Sequence, residues 1–172
     1  DRLGLELPSG YISEINLRLQ PWIGELGRLI SRGAALLVDY GYERRDYYSP
    51  DRNSGTLLCH YRHHANTDPL YLPGMQDITA HVDFTAVAEA ADSAGLAVSG
   101  YTSQAAFLLG CGIEQMLEGM AQKQDAEWFA LVEGFKRLVL PTEMGERFRV
   151  MALTRGLQTA PEGFTQDMRF RL

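Results

Sequence analysis

The residues best able to do chemistry in this 172-residue chain cluster in two places. The first is Asp39-Tyr40-Gly41-Tyr42, which closes the apolar run Ala34 to Val38. The second is Asp77 to Asp83, which holds Asp77, His81 and Asp83 within seven residues. A carboxylate at the end of a strand can orient a cation or anchor a loop through backbone N–H groups. A neutral histidine accepts a proton near pH 7. Asp83 reads as the N-cap of a following helix. Asp77 and His81 precede that cap, in a stretch that would face the strand ends, and so read as the functional pair. The remaining histidines, His60, His63 and His64, lack the His-x-x-x-His spacing of a helix-borne metal site, and Cys59 and Cys111 are isolated. No metal is expected. His63 reads as a substrate contact or a loop histidine, and Arg62 beside it as a substrate contact or half of a structural ion pair. Gln104 opens a helix, as a cap or as a contact. Tyr40, Tyr42, Tyr47 and Tyr48 read either as an aromatic wall for a cation or as loop packing. Trp22 reads as core.

These residues need elements to position them. Ala34 to Val38, between Gly33 and Gly41, reads as a strand buried on both faces, and ligands of open α/β sheets sit outside the carboxyl ends of such strands. A helix precedes it, with Trp22, Ile23, Leu26, Leu29 and Ile30 at helical spacing and Pro21 in its first turn. Residues 41–80 lack periodicity and read as one long loop insertion with a single strand-like piece, ordered against the structure by its tyrosines. Asp83 opens a second helix, Leu96 to Tyr101 forms a second strand, Gln104 to Met120 and Asp125 to Leu140 form two helices, and Phe148 to Leu153 forms a third strand. Alternation of this kind implies an α/β sheet, and three strands are few enough to be one side of a larger one.

The bulk numbers narrow the class. A hydrophobic fraction of 45% and a charged fraction of 22% are ordinary for a soluble globular protein. A net charge of −6 argues against non-specific nucleic-acid binding, which needs a basic face. No apolar stretch reaches the roughly 18 residues that span a bilayer. No secretory signal opens the chain, and two cysteines fit a reducing cytoplasm. The chain starts at Asp1 without methionine, which reads as a processed or excised piece.

Longer runs point to a family. Leu36-Leu37-Val38-Asp39-Tyr40-Gly41, Gly55-Thr56-Leu57-Leu58-Cys59-His60-Tyr61-Arg62-His63-His64, Asp68-Pro69-Leu70 and Pro73-Gly74-Met75-Gln76-Asp77-Ile78-Thr79-Ala80-His81-Val82-Asp83-Phe84 come first. Thr102-Ser103-Gln104-Ala105-Ala106-Phe107-Leu108 and Pro141-Thr142-Glu143-Met144-Gly145-Glu146-Arg147-Phe148 follow. Together they resemble the MidA-like family of S-adenosylmethionine-dependent methyltransferases, relatives of the mitochondrial complex I assembly methyltransferase. The resemblance runs from about Gly10 to Leu153.

It implies the C-terminal, acceptor-side half of a Rossmann-like class I methyltransferase fold over residues 1–172. The last strand would insert antiparallel between the other two, and a helical pair would be added before it. The cofactor, S-adenosylmethionine, would sit mostly in an N-terminal half absent from these residues, since no Gly-x-Gly-x-x-Gly occurs here. The partner would be a protein substrate methylated on arginine, a respiratory complex subunit being one candidate. Asp39, Asp77 and His81 are then the catalytic candidates. Tyr40, Tyr42, Arg62, His63 and Gln104 are the substrate-binding ones. The piece alone would be inactive. A non-catalytic protein-binding or assembly-factor module that kept the fold is the alternative, and a metal hydrolase a third.

Overall fold

The computed structural model describes residues 5–120 and 125–172. Helix α1, Leu19–Leu29, carries Pro21 in its first turn and buries Ile23 and Gly27. Gly27 is where α1 comes closest to its neighbour: a Cβ there would meet Ala94 O at 2.9 Å. Strand β1, Gly33–Tyr42, follows. Helix α3, Phe84–Ser93, begins at Asp83, whose carboxylate accepts from Ala86 N at 3.0 Å, as its position as an N-cap implied. Strand β6, Ala97–Ser103, and strand β7, Phe148–Arg155, complete the main elements.

The main sheet has four strands in the order β5-β1-β7-β6, with β5 being Val82–Asp83. Strand β7 lies antiparallel between β1 and β6, in register from Gly33↔Arg155 to Tyr40↔Phe148. Strand β5 pairs parallel with β1 at Gly41↔Val82 and Tyr42↔Asp83. The core lies on one face, where Tyr101, Met151 and Leu153 meet Ile23 of α1 and Phe84, Val87 and Ala91 of α3. Arg155 ends β7 beneath the carboxyl ends of both helices. Its guanidinium donates to the carbonyls of Gly27, Ile30 and Ala94, and its Nε to Gly95 O at 3.0 Å. Orphan carbonyls of helix ends are thus satisfied by one cation, which also complements the helix dipoles.

Several expectations change. Strand β1 is not buried on both faces: Leu36 is 49% and Val38 51% exposed, opposite the core-facing Leu37. Among the described residues nothing covers that part of the strand. Trp22 is likewise 51% exposed rather than core. Residues 41–80 are not one loop. They hold α2, Arg44–Tyr47, a 3₁₀ turn at Pro50–Arg52, and a second antiparallel sheet β3-β2-β4. Its strands are β2 Leu58–Tyr61, β3 His64–Asn66 and β4 Asp77–Thr79. Segments of three or four residues are too short to show a period.

The stretch 104–120 is two helices, α4 Gln104–Gly110 and α5 Ile113–Met120, broken where Gly112 takes φ +81°. The side chain of Met120, expected on the apolar face, lies outside the described residues. Helix α6, Ala126–Val139, is capped by Asp125, which accepts from Trp128 N at 3.0 Å. Among the described residues, three helices rather than two therefore lie between β6 and β7. No helix among the described residues is long and apolar enough to cross a membrane.

The C-terminal tail lies along β6. Met168 N donates to Tyr101 O at 2.7 Å, Thr102 Oγ1 to Gln166 O at 2.6 Å and Arg169 Nη1 to Val98 O at 2.9 Å. Arg171 reaches the buried Glu43, Nε to Oε1 at 3.4 Å, and Asp46 at 2.6 Å.

Candidate functional site

The carboxyl end of β1 gathers an aromatic and ionisable cluster. Cross-strand pairing sets Tyr40 edge-on to Phe148, with ring centroids 5.4 Å apart. The parallel pairing of Gly41 with Val82 brings His81 alongside β1. Its imidazole lies 5.3 Å from the Tyr40 ring and 5.2 Å from the Tyr42 ring. Gly41 permits this approach, since a Cβ there would stand 2.2 Å from Val82 O. The Arg52 guanidinium stacks over Tyr42, 3.8 Å from the ring centroid. Asp39 is exposed, and its Oδ1 accepts from Tyr40 N at 2.8 Å.

Glu14 fixes the loop beside this cluster. Its carboxylate accepts from Thr56 N at 2.9 Å, Leu57 N at 3.0 Å and Thr56 Oγ1 at 3.0 Å. Thr56 Oγ1 in turn accepts from His81 N at 3.0 Å. Partial burial pushes the Glu14 carboxyl up, but the Thr56 and Leu57 donors outweigh this and hold it below its ordinary value.

Burial, then the charge of Arg52, push the His81 pKa down; Glu14 and Asp39 pull against them. The imidazole is therefore neutral at pH 7, and its buried Nδ1 has no hydrogen-bond partner. A neutral imidazole between a cation and two carboxylates can accept a proton, and the imidazolium so formed would face Asp39 and Glu14. A groove of about 860 Å³ opens beside it, and its lining includes Glu14, Asp39 and His81 together with Trp22, Leu36 and Val38.

The structure brings together Asp39, Tyr40, Tyr42 and His81. It sets four other candidates apart. Asp77 is exposed on β4, opposite His60 in the second sheet. Arg62 and His63 form the exposed tip of the β2–β3 hairpin, at φ 46° and 67°, with Arg62 over Tyr61 at 5.3 Å. Gln104 is buried and donates from Nε2 to Leu138 O at 2.9 Å, which ties α4 to α6. Tyr47 and Tyr48 are packing residues, 4% and 9% exposed, and burial pushes the Tyr47 hydroxyl up to about 12. Arg52, Glu14 and Phe148 join the cluster from stretches whose spacing carries no functional signal. Among the described residues no three His, Cys, Asp or Glu side chains stand close enough to hold a metal.

A family model described as "Putative S-adenosyl-L-methionine-dependent methyltransferase" matches residues 1–102. The chain belongs to the MidA-like family of S-adenosylmethionine-dependent methyltransferases. Among its relatives in this family, the Bos taurus protein arginine methyltransferase NDUFAF7, mitochondrial, is 37% identical over 135 residues, 76% of this chain and 29% of that protein. The Drosophila melanogaster homolog is 31% identical over 159 residues, 86% of this chain and 33% of that protein. An uncharacterized Burkholderia thailandensis protein has the same fold at TM-score 0.94 and 39% identity, over 98% of this chain and 46% of that one. A "likely methyl transferase" from the same organism, bound to S-adenosyl-homocysteine, matches at TM-score 0.90 and 40% identity over 99% of this chain and 45% of that one. The chain thus spans about a third of these curated relatives and under half of these solved structures.

Proposed function

We propose that these residues form the acceptor side of an S-adenosylmethionine-dependent methyltransferase that modifies an arginine side chain of a protein. One observation carries the reading: the wall at the end of β1 already holds a guanidinium, that of Arg52, over the Tyr42 ring at 3.8 Å and near enough to His81 to lower its pKa. A second arginine side chain meets the same chemistry on the neighbouring surface of Tyr40, with Asp39 supplying the countercharge. The names of the NDUFAF7 relatives support arginine as the acceptor.

An arginine nitrogen is protonated and a poor nucleophile, so it must lose a proton as it is alkylated. S-adenosylmethionine, when bound, supplies a methyl group on a sulfonium. The rest of the task on this side is positioning and proton removal. Tyr40 and Tyr42 orient the guanidinium plane, Asp39 holds its charge, and one ring nitrogen of His81 takes the departing proton. Glu14 acts through Thr56 to hold His81 in place. No Gly-x-Gly-x-x-Gly turn occurs in the 172 residues, so no cofactor cradle is assigned to them.

The test is radiolabelled methyl transfer by the full-length polypeptide to arginine-containing and lysine-containing protein fractions. Arginine labelling that disappears with Tyr40→Ala supports the reading. Transfer to another residue type ends the arginine assignment, and cofactor binding without transfer to any protein favours a non-catalytic binding module.

A further inference from the structure

We propose that Arg171, in the C-terminal tail, is a positioning residue for the acceptor wall: it grips α2 through Glu43 and Asp46, and so sets where Arg52 lies on Tyr42. The inference rests on the functional reading in one respect, that His81 takes the acceptor's proton.

A buried charge is the first observation. Glu43 follows Tyr42 directly and opens α2, its carbonyl accepting from Asp46 N at 2.9 Å and Tyr47 N at 2.8 Å. It is 1% exposed, and neither oxygen of its carboxylate has a hydrogen bond. Among the described residues its one ion-pair partner is Arg171, Nε to Oε1 at 3.4 Å. Tyr101 and Arg149 belong to the same buried group. Burial, then the Glu43 charge, push the Tyr101 hydroxyl up, while Arg149 and Arg171 pull against them. A carboxylate taken out of water is costly unless a cation meets it, so this tail contact outweighs an ordinary surface ion pair.

The contacts run onward from the same guanidinium. Arg171 Nη2 donates to Asp46 Oδ2 at 2.6 Å. The carbonyl of Asp46 accepts from Arg52 Nη1. The Arg52 guanidinium stands over the Tyr42 ring at 3.8 Å, and its charge adds to burial in lowering the His81 pKa. The tail and the acceptor wall are thus joined by an unbroken run of contacts through α2 and the 3₁₀ turn.

Neither end of this run depends on Arg171 for its place. The tail is bonded to β6 through Gln166, Met168 and Arg169. Helix α2 is tied to α3 by Arg44, which pairs with Glu89 at 2.6 Å and Asp83 at 3.5 Å. What Arg171 adds is the hold on Glu43 and Asp46.

The test is titration of His81 by NMR in the full-length polypeptide, beside the pH profile of methyl transfer. Arg171→Gln should free Arg52 to leave Tyr42. The His81 midpoint should then rise toward its ordinary value near 6.5, and the acid limb of the rate profile should rise with it. Glu14 and Asp39, the other charges that His81 feels, stay in place. Asp46→Ala separates positioning from bare charge. Loss of a carboxylate by itself lowers the midpoint of a nearby histidine, whereas loss of the hold on Arg52 raises it. A rise in both variants supports the latch. An unmoved midpoint in either folded variant, or a fall in Asp46→Ala, overturns it. If Arg171→Gln unfolds because Glu43 is left charged and unpaired, Glu43→Gln combined with Arg171→Gln removes that charge and carries the same measurement. Raised midpoints in a polypeptide that methylates no arginine leave the latch standing and end the functional reading.

Discussion

His81 has its chemistry set by its neighbours. Burial and the Arg52 charge lower its pKa, so its titration by NMR should show a midpoint below the ordinary value near 6.5. Arg52→Gln removes one cause, and the midpoint should rise; an unchanged midpoint would mean burial alone sets it. The sign for stability follows. The unfolded histidine binds its proton more readily than the folded one, so this contribution is complete above pH 6.5 and is lost as pH falls toward the folded pKa. Asp39 tests the acceptor role directly. Asp39→Asn keeps size and the bond to Tyr40 N but loses the charge. In the full-length polypeptide, turnover should fall on the order of 10²-fold with little change in melting temperature. A lower melting temperature with near-normal turnover would make Asp39 a loop anchor. Position at a strand end made Asp39, Tyr40 and Tyr42 legible in the sequence, and His81 was legible from the cap that follows it. Arg52 and Glu14 were not, because each reaches the cluster through a fold-level contact that no local spacing encodes.

At the scale of elements, the joint between β1 and β5 decides whether the cluster exists. Gly41→Ala places a methyl group 2.2 Å from Val82 O and 2.8 Å from Val82 N, both backbone atoms that cannot rotate away. The two-residue pairing should open and His81 should leave Tyr40 and Tyr42. Thermal unfolding should drop by several degrees, the scale of a loss of ~1–3 kcal/mol, and the His81 midpoint should move up as its burial is lost. A wild-type midpoint in this variant would show that β5 does not hold His81. Helices α3 and α6 were read closely from sequence, since Asp83 and Asp125 announce them chemically. The buried run of β7 was equally clear. What escaped was the second sheet, whose pairings such as Leu58↔Thr79 join distant residues, and the break between α4 and α5 at Gly112, which lies within an otherwise apolar stretch. The double-sided burial of β1 was read from an apolar run that the described residues cover on one side alone.

At the scale of the whole molecule, the 172-residue chain should bind S-adenosylmethionine no tighter than about millimolar, because close backbone approach to the cofactor needs a glycine-rich turn and no Gly-x-Gly-x-x-Gly is present. Calorimetry on this chain is the measurement, and micromolar binding would place the cofactor site within it. The sheet order has another consequence. Strand β7 lies between β1 and β6 in space but follows both in the chain. On the ribosome, β1 and β6 therefore emerge several seconds before the strand that joins them, at ~5–20 residues per second. During that interval the Ala34–Val38 run lacks its β7 partner, so a nascent chain of this protein should be a client of holding chaperones until β7 has been made.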